Sequence, residues 1–176
     1  MAVVAVAVDG CGGAGKSTLA ARIAAEINDT TVIHTDDFAS WDNPVDWWPR
    51  LLEQVLQPLA EGRPARYQRY DWEAAELAEW HDVPSTGYLL IEGVTSSRRE
   101  FRPYLAATIW VEATREIRLQ RGLERDGVEA RELWLGWQAA EDAYVQRDQP
   151  AAAANLIITG EGGAPWTGPE RPDECI

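Results

Sequence analysis

Residues 10–17 read Gly10-Cys11-Gly12-Gly13-Ala14-Gly15-Lys16-Ser17 and satisfy G-x-x-x-x-G-K-[ST]. Glycines at this spacing let successive backbone N–H groups turn inward around an anion, and a helix starting at Lys16 adds the positive end of its dipole. Gly10, Gly12, Gly13, Ala14, Gly15, Lys16, Ser17 and the adjoining Thr18 are therefore candidate nucleotide ligands. Lys16 is placed to reach the β- and γ-phosphates and Ser17 to ligate Mg²⁺. Three carboxylates accompany the loop: Asp36 and Asp37 behind one apolar run, and Glu92 at the end of another. Such groups can accept a proton or hold a metal and its waters. Arg118, Arg121 and Arg125, spaced i, i+3 and i+7, share one helical face and could meet phosphate or pair with Glu116 or Glu124. Cys11 has no neighbouring base and reads as a small filler, and the lone His34 and His81 lack metal-ligand spacing.

These residues need a scaffold that brings them to one edge. Val3–Val8 is a short β-branched run ending at Asp9-Gly10, the pattern of a strand buried on both faces. A helix over Ser17–Ile27 follows, with Leu19, Ile23 and Ile27 on one side, then strands over Thr31–Thr35, Tyr88–Glu92, Ala107–Glu112 and Asn155–Thr159. Asn43-Pro44 reads as a cap and first residue of a helix carrying Leu51, Leu52, Val55, Leu56 and Leu59 to Glu61-Gly62, whereas residues 63–86 have no clear period. Alternating strands and helices predict an α/β fold of the P-loop NTPase type, a five-stranded parallel sheet with its ligand at the carboxyl ends of the strands. The expected division is one domain over residues 1–160 and an irregular Gly/Pro-rich tail over 161–176.

A net charge of −13 argues against nonspecific nucleic-acid or anionic-membrane binding, and 45% apolar residues argue against wholesale disorder. The two cysteines, Cys11 and Cys175, make neither a disulfide framework nor a zinc site, which suits a reducing, cytoplasmic setting. The short apolar N-terminus lacks a basic flank and meets Asp9 within ten residues, so it reads as a strand rather than a signal or membrane span. No N-K-x-D segment marks a guanine switch, and the chain is short for a motor. Phosphoryl transfer to a small acceptor fits better.

Four further segments, HTDDF at 34–38, YDW at 70–72, LLIEG at 89–93 and RLQRGLERD at 118–126, resemble the uridine kinase and phosphoribulokinase group of P-loop kinases in order and approximate spacing. The resemblance runs from the first strand to about Asp126. It implies ATP and Mg²⁺, Asp36 as base for the acceptor hydroxyl, Glu92 beside the metal, and Arg118, Arg121 and Arg125 leading into a lid over about 122–133. It further implies an acceptor-covering insert over about 38–86, expected to be small and helical, in which Asp36, Phe38, Tyr70, Asp71 and Trp72 face the acceptor. The departures lie on that side: Ala75 stands where the family's uridine kinases carry a His, Asp42-Asn43-Pro44 only echoes their D-H-P, and Gly122 replaces the second arginine of an R-R pair.

Five of the nine tryptophans, Trp41, Trp47, Trp48, Trp72 and Trp80, fall in the insert and could stack on an acceptor or pack a core. Trp134 and Trp137, with Leu133, Ala140 and Tyr144, read as core. The sequence thus points to a kinase phosphorylating a small hydroxyl compound, a uridine- or cytidine-like nucleoside in the first place. Another alcohol (sugar, vitamin precursor or antibiotic) is the second reading and a non-catalytic nucleotide-binding regulator the third. Partners are small molecules, and a homo-oligomer is compatible with all three.

Overall fold

The computed structural model describes residues 3–40, 43 and 46–161. Five parallel strands form the central sheet: β1 (Val4–Asp9), β2 (Thr30–His34), β5 (Tyr88–Glu92), β6 (Ala107–Glu112) and β7 (Leu156–Thr159), in the order β2-β5-β1-β6-β7. All five expected strands are present within a residue of their expected bounds. The apolar runs of the inner strands β1 and β5 are buried on both faces, with Ala7, Val8, Leu89 and Ile91 fully inaccessible, whereas the edge strand β7 leaves Leu156 and Ile157 half exposed. β1 is central, and β5 lies between it and β2. The loop after β5 therefore opens between the loop after β1 and the segment after β2.

Helix α1 (Lys16–Glu26) follows the β1 loop, and Thr35–Asp37 forms one 3₁₀ turn after β2. The next helix begins at Trp48, not at the expected cap: the Asn43 side chain accepts the Asp46 N–H (2.8 Å) in a turn ahead of it, and Pro44 lies outside the described residues. It runs through α2 (Trp48–Leu51), a π turn (Leu52–Leu56) and α3 (Gln57–Ala60). Pro58 explains the π turn, because proline cannot donate to the carbonyl four residues back and crowds it, and a wider turn relieves both.

The segment without a clear period is a hairpin, β3 (Ala65–Asp71) paired antiparallel with β4 (Glu76–Val83). The insert is thus half helix and half β. Ala65, Tyr67 and Tyr70 face the core, and a bulge between Gln68 and Tyr70 shifts the alternation by one. The hairpin turn has no glycine: Asp71 Oδ1 accepts the N–H groups of Glu73 and Ala74 (3.0 Å each), and Ala75 takes a left-handed conformation (φ 55°). Left-handed backbone costs an L-residue about 1–2 kcal/mol, and glycine's extra chain entropy about 0.5–1. Ala75→Gly is therefore expected to stabilise the protein by about 0.5 kcal/mol, read as a rise in melting temperature of about 1–2 °C for a domain of this size.

The insert is fastened to the segment after β2. Phe38 stacks on Tyr67 (4.8 Å between centroids), the Tyr67 hydroxyl donates to Asp37 Oδ2 (2.7 Å), and Arg50 donates to the carbonyls of Phe38 (3.0 Å) and Gln68 (2.5 Å). Beyond β6 run α4 (Arg115–Asp126), a 3₁₀ turn (Val128–Ala130), α5 (Arg131–Asp148) and α6 (Pro150–Ala153). The tail from 162 onward, with Cys175, lies outside the described residues, as does Trp41.

Candidate active site

The loop after β1 wraps the start of α1. Gly13 has φ 77°, and a Cβ there would lie 2.6 Å from the Arg118 carbonyl oxygen, so only glycine lets the loop pass against α4 this closely. The first turn of α1 carries no acidic residue, leaving its positive end open to an anion. Lys16 is nearly buried, with Nζ donating to the Cys11 carbonyl (3.1 Å) across the loop. Burial pushes the Cys11 thiol up to about 12, so it carries no thiolate at neutral pH, as expected of a filler.

A cleft of about 1160 Å³ runs along this edge and is lined by Gly12, Gly13, Gly15, Lys16, Ser17 and Thr18 on one side. Asp36, Glu92 and Trp72 line it on another, and Arg121, Arg125, Trp134 and Trp137 on a third. Most of the sequence-derived candidates therefore share one space. Asp36 opens into the cleft, but the protein around it desolvates the carboxylate enough to raise its pKa, with Lys16 opposing and Glu92 adding to the rise. Asp37 points elsewhere, onto Tyr67. The two acids diverge because Thr35–Asp37 is a 3₁₀ turn, which rotates neighbours by about 120°.

Ser17 Oγ donates to Glu92 Oε1 (3.0 Å), and His34 Nδ1 lies 2.7 Å from Glu92 Oε2. The carboxylate can only accept, so His34 carries its proton on Nδ1. Burial pushes the Glu92 carboxyl up, but the His34 hydrogen bond, the Lys16 charge and the Ser17 hydrogen bond together hold it below its ordinary value. The hydrogen bond to Glu92 raises the His34 pKa. A hydroxyl and an ionised carboxylate 3.0 Å apart at the phosphate end are hard oxygen donors that fit Mg²⁺. No cluster of three or more His, Cys, Asp or Glu suited to a metal occurs among the described residues, and Mg²⁺ bound by phosphates and water does not need one.

The arginine face divides. Arg121 donates to the carbonyls of Gly13 (3.0 Å) and Gly160 (2.8 Å), and Arg125 pairs with Asp126 (2.7 Å) at the cleft rim. Arg118 lies outside the cleft lining, buried in an ion pair with Glu141 of α5 (2.9 Å) and not with Glu116 or Glu124. Glu141 also accepts the Gly12 N–H (2.7 Å), so the pair ties α4 and α5 to the phosphate loop. Asp9, fully buried at the end of β1, accepts from the N–H groups of Gly10 (2.7 Å), Thr95 (3.1 Å) and Ser97 (2.9 Å), the Ser97 hydroxyl (2.7 Å) and the Tyr144 hydroxyl (2.5 Å). Spacing alone did not reveal His34, Glu141 or Asp9. For His34 the clue is strand register, which sets it opposite Glu92.

Of the residues expected to face the acceptor, Trp72 lines the cleft and donates Nε1 to the Asp36 carbonyl (3.0 Å). Phe38 and Tyr70 are buried and line a neighbouring cavity of about 540 Å³ with Trp47, Arg50 and Ala75. Asp71 is engaged in the hairpin turn and with Arg69 (3.0 Å), outside both cavities. Trp47 is core, Trp48 packs against the core and lies beneath Arg98, and Trp80 is exposed beneath Arg66. Trp134 is buried against Gly122, as expected, and borders the cleft, and Trp137, less buried, meets it edge-on and lines the cleft too.

No curated protein sequence matches the chain. Among solved structures, the fold is similar to a possible uridine kinase from Bacillus stearothermophilus at 20% identity and a TM-score of 0.67, covering 90% of this chain and 89% of that one. It is also similar to a candidate fructose transport system kinase from Silicibacter sp. TM1040 (21% identity, TM-score 0.53, 89% of each chain). TT1252 from Thermus thermophilus is a third (19% identity, TM-score 0.52, 93% of this chain and 91% of that one). A sequence model of one kinase family matches residues 42–132, just over half of the chain, covering the insert, β5 and the arginine helix. With the phosphate loop, the carboxylates and the arginines in one cleft of a five-stranded parallel sheet, the chain belongs to the phosphoribulokinase/uridine kinase family.

Proposed function

We propose that the protein transfers the γ-phosphoryl group of ATP to a hydroxyl of a small molecule, in the first place the 5′-hydroxyl of uridine or cytidine. The observation that carries this is Asp36 in the same cleft as Lys16 and Ser17, a base with a raised pKa facing a phosphate loop. Asp36 accepts the acceptor's proton as its oxygen bonds to phosphorus and the bond to the β-phosphate oxygen breaks, releasing ADP. Lys16 and the loop N–H groups balance the charge that develops on the phosphates. Ser17 and Glu92 would hold Mg²⁺, which supplies further charge neutralisation. Arg121 and Arg125, with the segment over 122–133, close the nucleotide side and exclude water, while Arg118 orders the loop through Glu141. The working unit is residues 1–160, acting in the cytoplasm.

The insert covers the acceptor. Trp72→Ala is expected to raise the acceptor KM several-fold and the ATP KM little, since Trp72 borders the base and not the loop. An unchanged acceptor KM would return Trp72 to a packing role. The cavity bordered by Ala75 and Arg50 supports the second reading, an alcohol other than a nucleoside, because the ring nitrogens of a histidine are missing there. Coupled ADP release against a panel of nucleosides, nucleoside monophosphates, sugars and pantothenate-like alcohols decides between the two. Tight ATP binding without release for any member would favour the non-catalytic regulator.

A further inference from the structure

Thr95 combines four unusual properties. It is β-branched yet held at φ 68°, a region such residues rarely adopt. Its N–H is fixed by Asp9, which also anchors Gly10 at the head of the phosphate loop. The residue is 3% exposed, and its hydroxyl has no hydrogen-bond partner. It also lines the cleft that holds Lys16 and Asp36. Ser96 beside it also has an unpaired buried hydroxyl but does not line the cleft, so the missing partner alone is not the signal. A strained backbone and an unsatisfied hydroxyl both lower stability, and they persist where function uses them.

Position says what Thr95 meets. It lies in the loop after β5, the strand between β1 and β2, and so between the phosphate loop and the base. That loop is pressed against the acceptor side: a Cβ on Gly93 would lie 1.8 Å from Thr35 Oγ1. The group in transit between the loop and Asp36 is the terminal phosphoryl. We propose that the Thr95 hydroxyl donates a hydrogen bond to an oxygen of the γ-phosphate, which makes Thr95 a residue that distinguishes ATP from ADP and positions the phosphoryl for transfer.

The proposal rests on the kinase reading, and equilibrium binding tests it without knowing the acceptor. ATP and ADP affinities with Mg²⁺ are measured by intrinsic tryptophan fluorescence for wild type, T95V, T95S, T95G and the control S96A. T95V keeps the shape and loses the hydroxyl, so its ATP affinity should fall about tenfold or more, the scale of a hydrogen bond to a charged group, while ADP affinity holds. T95S should stay near wild type and S96A should match it. T95G relieves the backbone and removes the hydroxyl; it should melt higher than wild type and still lose ATP affinity, so a failure of T95V to fold does not protect the idea. Equal loss of ATP and ADP, equal loss in T95S and T95V, or wild-type ATP affinity in T95V would each overturn it. A wild type that binds neither nucleotide would instead overturn the kinase reading.

Discussion

Lys16→Ala is expected to lower turnover by about 100-fold or more under saturating acceptor, the scale for losing a preorganised charge contact to the transition state. Lys16 is nearly buried, and its ammonium already spans the loop onto the Cys11 carbonyl, so its charge needs no reorganisation when phosphate charge shifts. The substitution has a second effect. Lys16 is the main charge opposing the rise in the Asp36 pKa, so removing it moves that carboxyl still higher. The variant's residual activity should therefore lose ground earlier on acidification than wild type. Coupled ADP release as a function of pH measures both effects. Wild-type turnover in Lys16→Ala would place the chemistry outside this cleft.

Asp36→Asn is expected to lower kcat by about 100-fold or more, the contribution of a positioned general base, with little change in ATP affinity. Asp37→Asn costs much less, because Asp37 is occupied with Tyr67 beside the cleft. The base must be ionised, so kcat falls as pH drops through the raised Asp36 pKa, and this acid limb lies above the ordinary carboxylate value of about 3.9. It disappears in Asp36→Asn. The sign for stability runs the other way from that of a paired carboxylate. A raised folded-state pKa means that ionisation costs folding energy, so Asp36→Asn should melt no lower than wild type at neutral pH. A larger kcat loss at Asp37 than at Asp36 would move the base by one residue.

The sheet was legible because each strand is a continuous β-branched or apolar run bounded by glycine or acid, and the inner strands β1 and β5 are buried on both faces. The phosphate loop was legible because a motif fell between two such elements. The hairpin was not: only three β3 side chains face the core, a bulge breaks their period after Gln68, and Asp71 with Ala75 makes the turn without the usual glycine. The helix start is not legible because Asn43 is a good cap by type but serves a turn before Trp48. Asp36 and Asp37 diverge because a 3₁₀ turn follows β2, and no period in the sequence marks that turn. Helical spacing grouped Arg118 with Arg121 and Arg125, but only α5, distant in sequence, supplies Glu141 to claim it. Local periods report which face a residue shares and are silent on what meets that face.

Gly122 and Trp134 constrain how this chain can change. A Cβ at position 122 would stand 2.3 Å from the indole, so an arginine cannot enter there while the ring remains. Removing the ring first leaves a buried cavity, a loss of about 3–5 kcal/mol for a tryptophan, and frees Asp126 from the indole N–H (2.9 Å). Each single step is thus deleterious, while the double change exchanges one filler for another. The two positions should show strong sign epistasis in a double-mutant cycle. A chain with this glycine is then separated by a fitness valley from one with an arginine at 122, and placing an arginine there requires replacing both residues at once.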